Sequence, residues 1–465
     1  MENNNNSKIS FDPYIFRDYD IRGLVPEDFN KKKKKKLALA LDQFFEEGPI
    51  VLSRDLRKSG IPLLQIMQTT LNQKGRKVIN IGENPTPLLY YAICKENAAA
   101  GIQITASHKP LPWNGFKINK KNAEPIDAAT GIYQIKKIVT TQESNASESK
   151  IPLAIEYKSY KEEYIKEITN KIKIKRPLTV VVDTGNGSVS SILRIILENL
   201  GCKVIAINEV VDDSFPSHPA DPHVNQNLKQ LQSEVKKHNA DICLALDGDG
   251  DRCAIVDNCG QIVSKDKSLM LLTKDALEKK KGPIVTEVRA SMAYLNFIKE
   301  SGGTPIIAKA GHSFVLRKVK EHGAVFGGEL TGHMFFPLEF YNFDDGIFTV
   351  VKFVEILSKL EIGFNLHLKS LPEYLPSPEF VITDTDKTKF QKIKKITELV
   401  KSEGKEYLDI DGVRITYPKL GWLLIRASNT GPKIKCRFEA KTMEGYDFLK
   451  SELKRFLSIV DLGFY

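Results

Sequence analysis

Short apolar runs alternate along most of the chain with longer segments in which apolar residues return every three or four positions. The short runs predict strands and the longer segments predict amphipathic helices. In the first stretch, Pro49 to Arg54 reads as a strand and Ile61 to Gln73 as a helix. Lys77 to Ile81 is a strand, Pro87 to Glu96 a helix and Gly101 to Thr105 a strand. A polar, Ser-rich segment over 141–150 marks a loop or boundary. The second stretch has a helix from Tyr157 to Lys171, then strands at Thr179 to Asp183, Lys203 to Ile207 and Asp241 to Leu246. Helices over Ser188 to Leu200 and Leu228 to His238 separate them. The third has strands at Pro283 to Val288, Thr304 to Ala308 and Ala324 to Phe326, closed by a helix over Gly346 to Lys359. After Pro372 the order changes to a Lys-rich helix, strands at Gly412 to Thr416, Gly421 to Arg426 and Lys433 to Glu439, and a last helix from Met443 to Ile459. The pattern predicts three α/β domains, over 1–150, 151–262 and 263–371, and a fourth, α+β domain over 372–465.

Four segments carry chemistry. Asp247-Gly248-Asp249-Gly250-Asp251-Arg252 directly follows a predicted strand, where open α/β sheets bind ligands. Its alternating glycines let three carboxylates converge on one hard cation such as Mg²⁺. An EF-hand is excluded, because Arg252 stands at the glycine position and Asn258 at the closing glutamate position. Thr105-Ala106-Ser107-His108-Lys109-Pro110 also leaves a strand, and Ser107 there is either a nucleophile or a turn residue. The Asn114-Gly115 pair that follows predicts a turn that folds Lys117 back towards Ser107. Gly327-Gly328-Glu329-Leu330-Thr331-Gly332-His333 frames a carboxylate, a hydroxyl and an imidazole, a set suited to binding hydroxyls and moving protons. Arg426-Ala427-Ser428-Asn429-Thr430-Gly431-Pro432 combines a guanidinium, hydroxyls and loop N–H groups as a phosphate nest.

Composition narrows the partners. Among 465 residues, the formal charge of +10 favours anionic ligands without choosing among them. The Lys31 to Lys36 run reads as the solvated start of a helix, which leaves no specific nucleic-acid or membrane role. No apolar run nears the ~18 residues a bilayer span requires, and the polar N-terminus lacks a signal-peptide core, so the expected location is the cytoplasm. Six cysteines form no C-x-x-C pair and are expected to be reduced and buried. No P-loop, H-E-x-x-H or G-x-S-x-G motif occurs, which argues against a P-loop kinase, a zincin and an α/β-hydrolase.

Taken in order, the four segments resemble the α-D-phosphohexomutase superfamily. The likeness extends to the N-terminal Phe16-Arg17-Asp18-Tyr19-Asp20-Ile21-Arg22-Gly23 and covers nearly the whole chain. Gly327 to His333 is most similar to the loop of the phosphomannomutase/phosphoglucomutase branch, and Phe343-Asp344-Asp345-Gly346 also fits that branch. The resemblance implies three related α/β domains and a C-terminal α+β domain around a central cleft. It implies a phosphohexomutase that interconverts hexose 1-phosphate and 6-phosphate, with mannose or glucose as the sugar. By that likeness Ser107 is the phosphoserine, and Asp247, Asp249 and Asp251 hold Mg²⁺ against it. Arg22, Lys117, Arg252 and His333 are the expected catalytic groups. Tyr19, His108, Arg289, His312, Glu329 and Thr331 are expected to contact substrate, and Arg426, Ser428, Asn429 and Thr430 to grip the phosphate that is not reacting. The expected activator is glucose 1,6-bisphosphate or mannose 1,6-bisphosphate, and the expected assembly a monomer or weak homodimer. Thr331 and Arg289 stand where this branch commonly has serine and lysine, so the preferred sugar stays open. Phosphoglucosamine mutase and a metal-dependent sugar phosphatase are the alternatives.

Overall fold

The computed structural model describes residues 11–141, 151–428 and 431–463, so the boundary segment predicted at 141–150 lies almost wholly outside the described residues. By compactness the chain divides into two units, residues 1–263 with 332–365, and residues 264–331 with 366–465. Among the described residues, no helix is long and apolar enough to cross a membrane.

The first unit holds two sheets. In the larger, Ile50–Arg54 lies between Val78–Glu83 and Ala100–Ile104, all parallel. Trp113–Lys120 runs antiparallel to Ala100–Ile104, and Ile21–Leu24 runs antiparallel to Trp113–Lys120. Ile50, Val51 and Leu52 are all buried, because helices cover both faces of a parallel strand. The lysine run begins helix Lys31–Phe44, which Asn30 caps by accepting the Lys33 N–H. Leu37, Ala38, Ala40 and Leu41 form its buried stripe. The smaller sheet is ordered Cys253–Asp257, Ile242–Leu246, Thr179–Asp183, Lys203–Ile207, with only Cys253–Asp257 antiparallel. Helix Gly346–Ser358 belongs to this unit.

In the second unit, Thr304–Ala308, Pro283–Glu287 and Phe326–Gly328 form a parallel array. An antiparallel sheet is built on Val413–Tyr417, Gly421–Ala427 and Lys433–Ala440, with helices Lys389–Ser402 and Met443–Ser458 packed on its core.

Several expectations change. The Asn114-Gly115 pair makes no turn but lies inside strand Trp113–Lys120. A Cβ on Gly115 would sit 2.2 Å from the Ile21 carbonyl oxygen, so the glycine serves close strand packing. The chain reverses before it, and Lys117 reaches the site from the strand itself. The helix expected over Ser188 to Leu200 is broken into a 3₁₀ turn, Ser188–Ser191, and helix Leu193–Asn199. There the Ser190 hydroxyl bonds Thr184 Oγ1 and the Gly187 carbonyl, a local alternative to the helical ladder. Tyr157 falls in the short strand Glu156–Tyr157 rather than in the helix, which starts at Lys161. The third strand of the second unit is Phe326–Gly328, two residues later than expected. All six cysteines are free, but Cys259 is exposed on the turn after Cys253–Asp257 and Cys94 is half-buried.

Candidate active site

Strand Ile242–Leu246 ends at Asp247, and the following loop wraps around that side chain. Asp247 Oδ1 accepts N–H bonds from Gly250, Asp251 and Arg252 at 3.1, 3.1 and 3.2 Å. Its other oxygen, Oδ2, accepts the Ser107 hydroxyl at 2.8 Å. A Cβ on Gly248 would lie 2.9 Å from the Ser107 carbonyl oxygen, so glycine is what lets the two loops meet. Asp249 Oδ2 accepts Thr86 Oγ1 and Lys117 Nζ, each at 2.6 Å, and Lys117 Nζ also donates to Asp251 Oδ2.

The three carboxylates and Ser107 have no exposed surface. Burial, then Asp251 and Asp249 alongside, push the Asp247 carboxyl well above the usual range. Burial also opposes ionisation of Asp249, but the Lys117 charge and hydrogen bond outweigh it and hold this carboxyl below its ordinary range. Burial opposes the Lys117 charge as well, and Asp249, Asp251 and Asp247 together raise the ammonium above its usual value.

These residues fit a divalent cation. One oxygen from each aspartate falls within 4.8 Å of the others. The second oxygens of Asp249 and Asp251 (Oδ1) are buried and have no hydrogen-bond partner among the described residues. Hard, anionic oxygen donors so arranged suit Mg²⁺, and the Lys117 ammonium stands in for part of the missing positive charge.

Three further groups converge on Ser107. The His108 ring Nδ1 lies 3.0 Å from Ser107 Oγ, and its Nε2 lies 4.0 Å from Asp221 Oδ2. Burial, then Arg252 and Arg22, keep His108 well below its ordinary value, so it is neutral. Arg22 donates to the Ala106 carbonyl at 3.1 Å and pairs with Asp20 at 2.5 Å. Arg252 Nε donates to His333 Nε2 at 2.9 Å and lies 3.8 Å from both Asp247 and Asp251. Because Nε2 accepts from Arg252, the His333 ring proton sits on Nδ1, which lies 2.6 Å from Asp344 Oδ2. The first unit therefore brings together Ser107, His108, Lys117, Asp247, Asp249, Asp251, Arg252, His333 and Arg22. Tyr19 lies half-buried on the bend before Ile21–Leu24.

In the second unit, Arg289 pairs with Glu287 at 2.8 Å and with Glu329 at 3.5 Å. Burial works against its charge, but these two carboxylates hold it above its usual value. The Thr331 hydroxyl has no hydrogen-bond partner among the described residues. His312 opens helix His312–Glu321 and is buried. Arg426 is the penultimate residue of strand Gly421–Ala427, and its Nη2 is 3.0 Å from Asp411 Oδ2. That same oxygen accepts the Ala310 N–H at 3.3 Å, so Asp411 ties Arg426 to the segment that carries His312. Ser428 is anchored by its N–H to the Lys433 carbonyl, and its own carbonyl accepts Lys389 Nζ. Asn429 and Thr430 lie outside the described residues.

No role was expected of Thr86, Asp20, Asp221, Asp344 or Asp411, although Asp20 and Asp344 lie within the family-like segments Phe16 to Gly23 and Phe343 to Gly346, and Asp411 directly precedes Gly412.

Family comparison covers both units. Residues 13–146, 162–260 and 264–374 match the phosphoglucomutase/phosphomannomutase alpha/beta/alpha domains I, II and III, and 382–453 match the C-terminal domain. The chain belongs to this family. A phosphomannomutase/phosphoglucomutase of Pseudomonas syringae pv. tomato is 36% identical over 458 residues, covering 97% of each chain. A phosphoglucomutase of Neisseria gonorrhoeae is 33% identical over 450 residues, covering 95% of this chain and 96% of its own. Among solved structures, a phosphoglucomutase/phosphomannomutase family protein of Burkholderia thailandensis superposes with a TM-score of 0.90 at 30% identity. That match covers 98% of this chain and 100% of the other. The four-domain architecture and the membership of an isomerase family of intramolecular phosphotransferases follow from these matches.

Proposed function

We propose that this phosphohexomutase interconverts the 1-phosphate and 6-phosphate of glucose or mannose, with Ser107 as the phosphate carrier. The observation that carries the reading is the Ser107 hydroxyl held 2.8 Å from Asp247, inside a buried triad that has two carboxylate oxygens to spare. Asp247, Asp249 and Asp251, with an oxygen of phospho-Ser107, would hold Mg²⁺. The ion, when bound, supplies charge withdrawal from the transferring phosphoryl group.

The chain's own residues do the rest. A phosphoserine adds about −1.5 to −2 charges, which Lys117, Arg252 and Arg22 offset from fixed positions. In the first transfer the bond between phosphorus and Ser107 Oγ breaks, and one forms to the free hydroxyl of the hexose phosphate. The proton of that hydroxyl passes to a base, for which His333 Nε2 is suited once it exchanges its hydrogen bond from Arg252 for one from the substrate hydroxyl. The product is a hexose 1,6-bisphosphate. After it turns over, its other phosphate returns to Ser107 and the isomeric monophosphate leaves. Glu329 and Thr331 hold sugar hydroxyls, His312 and Arg289 support them, and Tyr19 and His108 also contact substrate. Arg426, Ser428, Asn429 and Thr430 grip whichever phosphate is not reacting, which lets one site accept both orientations. Glucose 1,6-bisphosphate or mannose 1,6-bisphosphate would act as activator by phosphorylating Ser107.

The test is ³¹P NMR of the protein with Mg²⁺, catalytic glucose 1,6-bisphosphate and either α-glucose 1-phosphate or α-mannose 1-phosphate. Formation of the 6-phosphate, lost in Ser107→Ala while sugar-phosphate binding persists, is expected. Release of inorganic phosphate alone would make the protein a phosphatase, and wild-type turnover in Ser107→Ala would remove Ser107 as carrier.

A further inference from the structure

Ser107 has φ = +52°, a left-handed conformation that a side chain other than glycine occupies only when its surroundings enforce it. The enforcing contacts converge on one residue for which the mechanism has no role. Arg57 has a side chain with no exposed surface. Its Nη2 donates to the Ser107 carbonyl at 2.9 Å and to the Lys109 carbonyl at 2.5 Å. Its Nη1 donates to the Trp113 carbonyl at 3.2 Å and its Nε to Asp55 Oδ2 at 3.2 Å. The other side of the Ser107 residue is held through the same carboxylate. The Ser107 N–H donates to Thr105 Oγ1 at 2.8 Å, and that hydroxyl donates to Asp55 Oδ2 at 2.7 Å.

The contacts close into a ring, from the Ser107 carbonyl through Arg57, Asp55 and Thr105 back to the Ser107 N–H. The guanidinium also lies 5.2 Å from the centre of the Phe215 ring. That ring packs where a Cβ on Gly248 would stand, 3.4 Å from Phe215 Cε1, so the ring links the carrier loop to the carboxylate loop. We propose that Arg57, with Asp55 and Thr105, is a positioning clamp that fixes the Ser107 backbone so that Oγ meets the carboxylate triad in line for phosphoryl transfer. The clamp rests on Ser107 being the carrier. It requires arginine, because one flat guanidinium reaches three carbonyls and a carboxylate at set angles, which a lysine ammonium on a flexible stem does not reproduce.

The clamp makes a prediction that a generally stabilising residue does not. Phosphoryl transfer is mostly positioning, and a misplacement of about 1 Å costs on the order of 100-fold. Arg57→Lys and Thr105→Val should therefore lower kcat about 100-fold while KM for the hexose 1-phosphate stays within about twofold. Phosphorylation of Ser107 by glucose 1,6-bisphosphate, followed by intact-protein mass, should slow by a similar factor. Thr105→Ser, which keeps the hydroxyl, should recover most of both rates. Thr105→Val and Thr105→Ser decide the matter if Arg57→Lys does not fold. The clamp is overturned if both variants keep wild-type kcat, if KM rises in step with the loss while phosphorylation of Ser107 is unchanged, or if Thr105→Ser is as slow as Thr105→Val. Failure of the wild-type protein to be phosphorylated on Ser107 would instead overturn the carrier reading itself.

Discussion

Lys117→Met should convert the first unit into a protein that depends on Mg²⁺ for its stability. The Lys117 side chain is 8% exposed, and its ammonium bonds Asp249, at 2.6 Å, and Asp251. At an effective dielectric of ~20 a charge pair at that distance is worth about 6 kcal/mol before desolvation. Removing one partner of a buried pair typically costs ~3–5 kcal/mol, because the other charge stays behind unpaired. Three buried carboxylates stay behind here, so the loss in chelator should fall in that range. Mg²⁺ at 100 times its Kd stabilises any protein by about 2.7 kcal/mol. In the variant the cation no longer meets the Lys117 charge, so it should bind more tightly and its stabilisation should grow. The assay is urea unfolding in EDTA and in Mg²⁺, followed by Trp113 fluorescence in a Trp422→Phe background. The chain has two tryptophans, and Trp113 belongs to the first unit. The reasoning is refuted if chelation costs wild type and variant the same, because Lys117 and the cation would then not share the carboxylates.

Arg426→Ala should raise KM about 100-fold, the upper end for a charge-assisted hydrogen bond, while leaving the rate of Ser107 phosphorylation nearly unchanged. Asp411→Asn should raise KM about tenfold, because Asp411 orients Arg426 through Oδ2; a fall in KM would mean that it competes with phosphate instead. Asp345 caps helix Gly346–Ser358 and accepts the Tyr164 hydroxyl, and burial pushes its carboxyl up to about 7. The folded form then holds a proton that the unfolded chain releases near pH 4, so stability contributed below that pH is lost as pH rises towards 7, by up to ~4 kcal/mol. Asp345→Asn should flatten this part of the stability–pH profile measured by urea unfolding, and an unchanged profile would assign the dependence elsewhere. Gly248→Ala places a methyl 2.9 Å from the Ser107 carbonyl and should cut kcat about 100-fold with little change in KM, as read by a coupled steady-state assay.

The strands that carry the chemistry were legible because they are buried on both faces and so read as unbroken apolar runs. Ile242–Leu246 and Ala100–Ile104 are entirely buried, and the loops at their ends carry Asp247 and Ser107. A residue recruited from far along the chain with no motif around it was not legible. Thr86 bonds Asp249 across 163 positions, a separation that leaves no periodic trace. Lys117 was expected near Ser107, but its bond to Asp249 across 132 positions was not. The Asn-Gly signal at 114–115 misled for a related reason. A glycine required by a neighbouring strand has the same letter as one required by a turn, and only the Ile21 carbonyl beside it tells them apart. Helix Gly346–Ser358 was legible as a helix, but its buried face on every side, with Phe348, Thr349, Val350, Val351 and Phe353 all enclosed, does not announce which sheet it covers.

On the proposed reading, a mutase that releases and recaptures a bisphosphate needs cations fixed in place, and four candidate cations of this chain are each paired with a carboxylate of their own unit. Arg22 rests on Asp20, Lys117 on Asp249, Arg289 on Glu287 and Arg426 on Asp411, at 2.5, 2.6, 2.8 and 3.0 Å. Each carboxylate fixes its cation before substrate arrives, so little reorganisation is left for the transfer step. Each also cancels part of its cation's charge, and for Arg426 the orienting effect of Asp411 outweighs that cancellation, which is why Asp411→Asn is expected to raise KM. For Arg426 the partner engages Nη2, and among the described residues the buried Nε has no hydrogen-bond partner. Arginine suits such a double engagement because its fork offers separate edges. The same cancellation explains why a net charge of +10 on the whole chain is a poor guide to these candidate residues, each of whose charges is balanced by a neighbouring carboxylate.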